Sequence, residues 1–405
     1  MQANCRRRFG SLCVSFAGRY PQIVGPRTAA SFALWLAAAS CGYYDSSLLN
    51  PTPAQTGDSG TGAQSGGGGA AVCEHAEPPG PPAVKDAGGD LDLVFAMRTI
   101  SFGFDSDGGA LALGYDIDKT CTNQGEKDSC LEPAWASGDH TDGPQGRDNS
   151  GGALIREFAQ WAPGFGEPAW NDALQSGGWS VIVRLKHYNG LPDDDQVELT
   201  WYVADNFSTF HKLADGGGAA PKWDGTDTWP ITSVCLDPQP AADGGVTYDL
   251  DHGRYVDSKA YVSGGKVVGM MAQGQIQADL GIKLVLTDVY LTARVNQTPS
   301  GWELRDGNIS GVWTLDDIFE QLGYFTFQGI PMCMGNPIYA GVKQMVCKYA
   351  DIYRSRGTPT TPCDSLSVAI GFESLPASIS GVVVPSAGSK ACDAAHDPVN
   401  DSCDK

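Results

Sequence analysis

Ile282-Lys283-Leu284-Val285-Leu286-Thr287-Asp288-Val289-Tyr290-Leu291-Thr292-Ala293-Arg294-Val295 is the stretch on which the fold class turns. β-branched and aromatic residues crowd it, no glycine or proline follows Ile282, and every second position can share one face of a strand. It therefore reads as a long β-strand with Leu284, Leu286, Asp288, Tyr290 and Thr292 on one side. Downstream, Trp302-Glu303-Leu304 and Ile309 to Trp313 bracket Arg305-Asp306-Gly307-Asn308, and the Asp-Gly pair predicts a hairpin turn there. Upstream, Tyr261-Val262 and Val267-Val268 flank Ser263-Gly264-Gly265-Lys266, a second hairpin signal. Further out, Val181-Ile182-Val183 and Val197 to Val203 surround the turn Asn189-Gly190-Leu191-Pro192. Leu111, Leu113, Tyr115 and Ile117 alternate with Ala112, Gly114, Asp116 and Asp118, and Ser365–Phe372 and Ser378–Val384 read as late strands.

Three helices interrupt the strands. Ser150 to Gln160 carries Leu154, Ile155 and Phe158 on one side. Thr314 is placed to cap Leu315–Leu322, with Gly323 just beyond. Asn336-Pro337 opens a run to about Arg356, striped by Ile338, Val342, Met345, Val346, Tyr349 and Ile352. The expectation is a mainly β, sandwich-like, disulfide-containing domain from residue 91 to 405 with about three short packed helices, and a possible subdivision near 240–250.

The rest of the chain concerns address. Arg6, Arg7, Arg8, Arg19 and Arg27 precede the apolar run Thr28 to Ser40, so residues 1–40 read as a secretory signal peptide. That run is too short to span a bilayer, which takes about 20 residues. Ala38-Ala39-Ser40-Cys41 resembles the lipobox of bacterial envelope lipoproteins, although Leu36 stands five residues before the cysteine where the family has leucine three before. The resemblance implies lipidation of Cys41, a membrane partner through that anchor, and an outer-membrane-anchored protein facing the periplasm or the cell surface. Between Pro51 and Asp90, ten glycines and six prolines reach 16 of 40 positions, so residues 41–90 read as a disordered tether.

The first 40 residues contain five arginines and no acid, leaving 22 basic against 47 acidic groups, a net of −25. So acidic a chain opposes nucleic-acid binding, which needs clustered Lys and Arg. Twelve cysteines suit an oxidising compartment; nine of them follow Cys41, an odd number that leaves at least one unpaired, with Cys121–Cys130 the expected bridge and Cys73 the expected odd thiol. Zinc is disfavoured, because neither C-x-x-C nor H-x-x-x-H occurs.

Acidic residues gather with glycine and asparagine in Asp105-Ser106-Asp107-Gly108-Gly109, in Asp116-Ile117-Asp118, and from Asp139 to Asn149. Calcium takes six to eight oxygens, and such loops supply them. Asp116, Asp118, Asp142, Asp148 and Asn149 are the candidate calcium ligands, against the alternative that they are solvated turn residues. For hydrolysis, Asp193, Asp194, Asp195, Glu198, Asp224 and Asp227 offer carboxylates, but no nucleophile elbow, P-loop or dinucleotide fingerprint accompanies them. His187, His211 and His252 are isolated, and Trp135, Trp170, Trp223 and Trp229 lie in loop-like contexts where they either stack on sugars or pack inside. The function expected is a non-catalytic, ligand- or partner-binding envelope domain, with a glycan or an envelope protein as partner. The alternatives are an extracellular polysaccharide hydrolase and a purely structural envelope component.

Overall fold

The computed structural model describes residues 73–104, 112–133, 135, 142–214, 217–278, 283–299, 301–354, 358–385 and 388–404. The leader, Cys41, positions 41–72 of the expected tether, and Asp105, Asp107 and Asp139 lie outside the described residues. In chain order come β1 (Leu91–Ser101), α1 (Ser150–Trp161), α2 (Glu167–Gln175), β2 (Ser180–Tyr188), β3 (Asp194–Ala204) and the single-turn α3 (Phe207–Phe210). Then follow β4 (Thr228–Thr232), β5 (Leu236–Pro240), β6 (Val246–Gly253), β7 (Tyr255–Ser263), β8 (Lys266–Gln277), β9 (Lys283–Thr298) and β10 (Gly301–Thr314). The chain ends through α4 (Leu315–Leu322), β11 (Thr326–Phe327), β12 (Ile330–Pro331), α5 (Pro337–Lys348), β13 (Ser365–Pro376) and β14 (Ser378–Val383).

Gly264 and Gly265 both take positive φ, +57° and +79°, and close the tight β7–β8 hairpin that their dipeptide foretells. β9 is the long strand expected, but its faces do not alternate throughout. Leu284 and Leu286 are buried, Asp288 takes φ +50°, and beyond it the buried set is Val289, Leu291, Ala293 and Val295. One extra residue at Asp288 exchanges the two faces, which is what a bulge does to a period of two. The β9–β10 reversal falls at Thr298↔Gly301, not at Arg305-Asp306-Gly307-Asn308. That quartet is a bulge inside β10: Asp306 has φ +49°, and a Cβ on Gly307 would stand 2.6 Å from the Phe372 ring. The Asp-Gly pair serves close strand packing there. Residues 112–118 form no strand, so Asp116 and Asp118 reach their positions by loop geometry instead of strand alternation.

The sheet runs β3-β2-β1-β13-β10-β9-β8-β7, and β7 then pairs back onto β3 through Asp194↔Val262, Val197↔Ala260 and Trp201↔Tyr255. Eight antiparallel strands thus close into a barrel, correcting the sandwich expectation. Closure satisfies the edge amides that a sandwich leaves open. Side chains fill the interior. Across it from β3, Leu199 meets Gly269, and Trp201 packs on Gly274 while its indole donates to the Gln275 carbonyl at 2.9 Å. β4 and β14 pair in parallel and extend the sheet beyond β3, and β5–β6 forms a separate hairpin covering 236–253.

Among the described residues five helices appear where three were expected. Asn149 caps α1, and Thr314 caps α4 by accepting the Asp317 amide at 3.1 Å. α5 ends at Lys348, short of Arg356, because the chain turns there and Ile352 pairs with Ser365 at the start of β13. Among the described residues no helix is long and apolar enough to cross a membrane.

The disulfides are Cys73–Cys121, Cys130–Cys363, Cys333–Cys392 and Cys347–Cys403. The expected Cys121–Cys130 bridge is therefore wrong, and so is Cys73 as the odd thiol: each end of that loop is tied to a distant segment. The free cysteine among the described residues is Cys235, whose thiol burial pushes up to about 11. Residues 73–90 follow the barrel wall and are not a free tether. Tyr261 Oη donates to the Pro79 carbonyl at 2.6 Å, and the Ala87 amide donates to Asp195 Oδ1 at 2.9 Å. Their proline content marks extended chain whose polar groups find partners on the barrel.

Candidate metal centre

The long connection between β1 and α1 folds into a clasp on the barrel. The Ala76 amide donates to the Gln145 carbonyl and the Asp116 amide to the Ala76 carbonyl, threading the N-terminal strap through it. Cys73–Cys121 fastens that strap, and Cys130–Cys363 fastens the clasp to the segment before β13. Two tight turns, Thr122–Glu126 and Gly143–Arg147, lie side by side, each with a Gln-Gly pair at its tip. Gly146 is required: it takes φ +69°, and a Cβ there would stand 2.8 Å from Cys121 Sγ and 2.9 Å from Asp116 Oδ2.

These turns converge Asp116, Asp118, Asp142 and Asp148. One carboxylate oxygen from each of Asp116, Asp118 and Asp148 lies within 4.8 Å of the others. Asp116 and Asp148 are only 1% and 2% exposed. Backbone amides supply most of the donors. Ile117 donates to Asp148 Oδ2 at 2.6 Å, Thr120 to Asp116 Oδ1 at 3.1 Å and Asp118 Oδ1 at 2.8 Å, and Thr122 to Asp142 Oδ2 at 2.6 Å. His75, from the strap, hydrogen-bonds Asp116, which holds its imidazole above the usual value.

The electrostatics are those of crowded anions. Burial, reinforced by the charges of Asp351 and Asp116, pushes the Asp118 carboxyl up to about 7. Burial together with Asp118, Asp351 and Asp116 pushes Asp142 up to about 8, and Asp148 is raised well above the carboxylate range by burial and then by Asp118 and Asp351. Carboxylates in such a place need either protons or a cation.

The fifth candidate ligand, Asn149, is not brought in. Its Oδ1 accepts the amides of Gly152 and Ala369 at 3.1 and 2.8 Å, and its Nδ2 donates to the Phe102 carbonyl at 2.9 Å, fixing the start of α1 on the barrel. Sequence reasoning missed Asp351 and His75. Asp351 follows α5, which was read as continuing through it; its carboxylate holds the Ser367 amide at 2.8 Å and its charge acts on three of the aspartates. His75 sat in a stretch read as tether.

An all-oxygen set fits a hard cation. Oxygens bound to one calcium at 2.3–2.6 Å lie no more than about 5 Å apart, which the three aspartates satisfy. A thiolate metal does not fit: His75, Cys121 and Glu126 are neighbours, but the disulfide occupies the Cys121 sulfur. A polar recess of about 250 Å³ opens beside the cluster, lined by Asp118, Glu126, Asp128 and Tyr353 among others.

The remaining acidic candidates are structural. Asp194 accepts the amides of Asn189 and Gln196, Asp227 those of Lys222 and Trp223, and Glu198 pairs with Lys186. His211 stacks on Phe207 and bonds the Thr228 carbonyl. Trp170 and Trp229 are core residues, whereas Trp135 is exposed. Compared with known proteins, the chain matches no family model, no curated protein and no solved structure.

Proposed function

We propose that this is an exported, lipid-anchored envelope protein whose barrel binds a ligand or partner without catalysis, and whose clasp is stabilised by calcium. The observation that carries the reading is the meeting of Asp116, Asp118 and Asp148 inside a clasp closed by two disulfides. Disulfides belong to an oxidising compartment, where calcium is abundant enough for a site built from surface loops. Asp116, Asp118, Asp142 and Asp148 would hold the ion, with Asp351 adding charge behind them. Bound calcium would tie the start of α1 to the strap.

The test is thermal unfolding in millimolar calcium against millimolar magnesium. A cation that binds only the folded state at a hundredfold over its Kd stabilises it by about 2.7 kcal/mol. Calcium should raise Tm more than magnesium, which demands octahedral geometry and dehydrates reluctantly. Asp116→Asn with Asp148→Asn should remove the difference. Equal shifts by both ions, in wild type and variant alike, would reduce the cluster to a screened acidic surface.

The second reading is an extracellular polysaccharide hydrolase. It is favoured by the recess that Asp118 shares with Glu126 and Asp128, since glycosidic cleavage needs paired carboxylates on one opening. Release of reducing ends from envelope or extracellular polysaccharide, lost in Glu126→Gln and Asp128→Asn, would replace the first reading with this one.

A further inference from the structure

Beside the aspartates, the strap and the first clasp turn gather a second set of metal-ligating side chains. His75 Nδ1, Cys121 Sγ and a Glu126 carboxylate oxygen all lie within 4.8 Å of one another. Cys73 is bonded to the Cys121 sulfur, so two of these four side chains come from the strap and two from residues 121–126. Backbone bonds fix both segments. The Ala76 amide donates to the Gln145 carbonyl at 2.8 Å, and the Cys121 amide donates to Glu126 Oε2 at 2.9 Å, which orients that carboxylate. Among the described residues no other cysteine stands in such a group. Two ligands from each of two segments is an arrangement that serves tetrahedral zinc, with bonds of about 2.3 Å to sulfur and about 2.0–2.1 Å to nitrogen. Those bond lengths set sulfur and nitrogen about 3.6 Å apart across a tetrahedral angle. His75 Nδ1 stands 3.6 Å from Cys121 Sγ. The disulfide is what keeps a metal out, and it is within reach of solvent: Cys73 is half-buried, Glu126 is exposed and the His75 side chain is 34% exposed.

From this arrangement we infer that the strap bridge is a redox-gated zinc site: once a dithiol opens Cys73–Cys121, the ion is held by Cys121, His75 and Glu126 with Cys73 as fourth ligand. Opening the sulfur–sulfur bond takes two electrons and two protons from the dithiol, which leaves as its own disulfide. Zinc then displaces the two thiol protons, because thiolate is the ligand form. His75 Nδ1 exchanges its hydrogen bond to Asp116 for the metal. A disulfide oxidant reverses the step, taking the two electrons back and expelling the ion. Bridge and metal exclude each other, and either one fastens the strap to the clasp. The site takes no ligand from the aspartate cluster and goes beyond the calcium reading.

The experiment uses the full chain, with cobalt(II) as a spectroscopic stand-in for zinc. The oxidised protein should give no thiolate-to-cobalt charge-transfer band. After mild reduction with a phosphine, alkylation mapping should find Cys73 and Cys121 among the released thiols. One cobalt should then bind with tetrahedral d–d bands and a thiolate band, and one equivalent of zinc should bleach both. His75→Ala and Glu126→Gln should each weaken zinc binding to the reduced chain at least about tenfold, since the loss of mere partners of ligands already costs about 10–100-fold. Cys73→Ser frees the Cys121 thiol with no reductant and leaves the other three bridges closed. It should bind cobalt through a single thiolate and lose it when His75→Ala is added. That variant decides the matter if reduction opens other bridges first, and the reduced wild type decides it if the variant does not fold. Thiolate bands absent from both preparations, or undiminished in His75→Ala, would overturn the proposal. The calcium-dependent melt is measured on the oxidised chain, so failure of this site is separable from failure of the calcium reading.

Discussion

The Ile117 backbone amide donates to Oδ2 of Asp148 at 2.6 Å, joining two acidic segments that stand 31 residues apart in the chain. Asp148 in turn is followed by Asn149, which caps α1, so the acidic clasp and that helix share a single joint.

Burial and mutual repulsion of its carboxylates give the clasp a defined pH response. The folded-state values of Asp118 and Asp142, about 7 and about 8, stand above the value of 3.8 for an exposed aspartate. Between about pH 4 and 8 the folded state then binds more protons than the unfolded state, so stability must fall as pH rises through that window. In chelator, Tm should be highest near pH 5 and drop steadily to pH 8, with calcium removing most of the drop. Melts across that range with and without calcium check this; a chelated Tm rising from pH 5 to 8 would contradict it.

Gly146→Ala tests the clasp's packing. The substitution places a methyl 2.9 Å from Asp116 Oδ2 at a backbone φ of +69°. Strain at a left-handed position is of order 1–3 kcal/mol, before any displacement of the carboxylate is counted. Urea titration should show a loss of at least about 1 kcal/mol, and the calcium increment in Tm should shrink with it.

Removing Cys130–Cys363 opens a link that spans 233 residues of chain. The double variant Cys130→Ser, Cys363→Ser should lose about 2–5 kcal/mol, as native bridges in exported domains do. Peptide mapping of native protein under non-reducing conditions should recover all four bridges, with Cys235 alkylated only after denaturation because its thiol is buried. Recovery of a Cys121–Cys130 peptide would refute the connectivity.

Cys41 lies outside the described residues, and its expected lipid is tested in cells. Cys41→Ala should move the protein from the detergent phase to the soluble fraction. Unchanged partition would remove the anchor from the proposal.

Local features were legible from the chain alone because their causes are local. Gly264-Gly265 closes a tight hairpin, and Thr314 has Asp317 three residues ahead to cap. The acidic composition of the connection before α1 likewise marked Asp116, Asp118, Asp142 and Asp148 together. What required the tertiary structure was every relationship set by closure. The strands are equally compatible with two stacked sheets or a barrel, and only the β3–β7 pairing decides between them. Gly307 stands against the Phe372 ring of the neighbouring strand β13, so an Asp-Gly pair that locally reads as a turn became part of β10. Cysteine partners depend on which surfaces meet, and spacing put Cys121 with Cys130 when the barrel brings Cys73 and Cys363 to them. Asn149, chemically fit for calcium, is consumed by its cap bond to Gly152 and by bonds to Phe102 and Ala369 that exist only once the start of α1 lies on the barrel, and Asp351 enters the cluster only because α5 stops at Lys348. Backbone propensity acts over a few residues, whereas these choices are made by contacts between segments far apart in the chain, and no short window of sequence contains them.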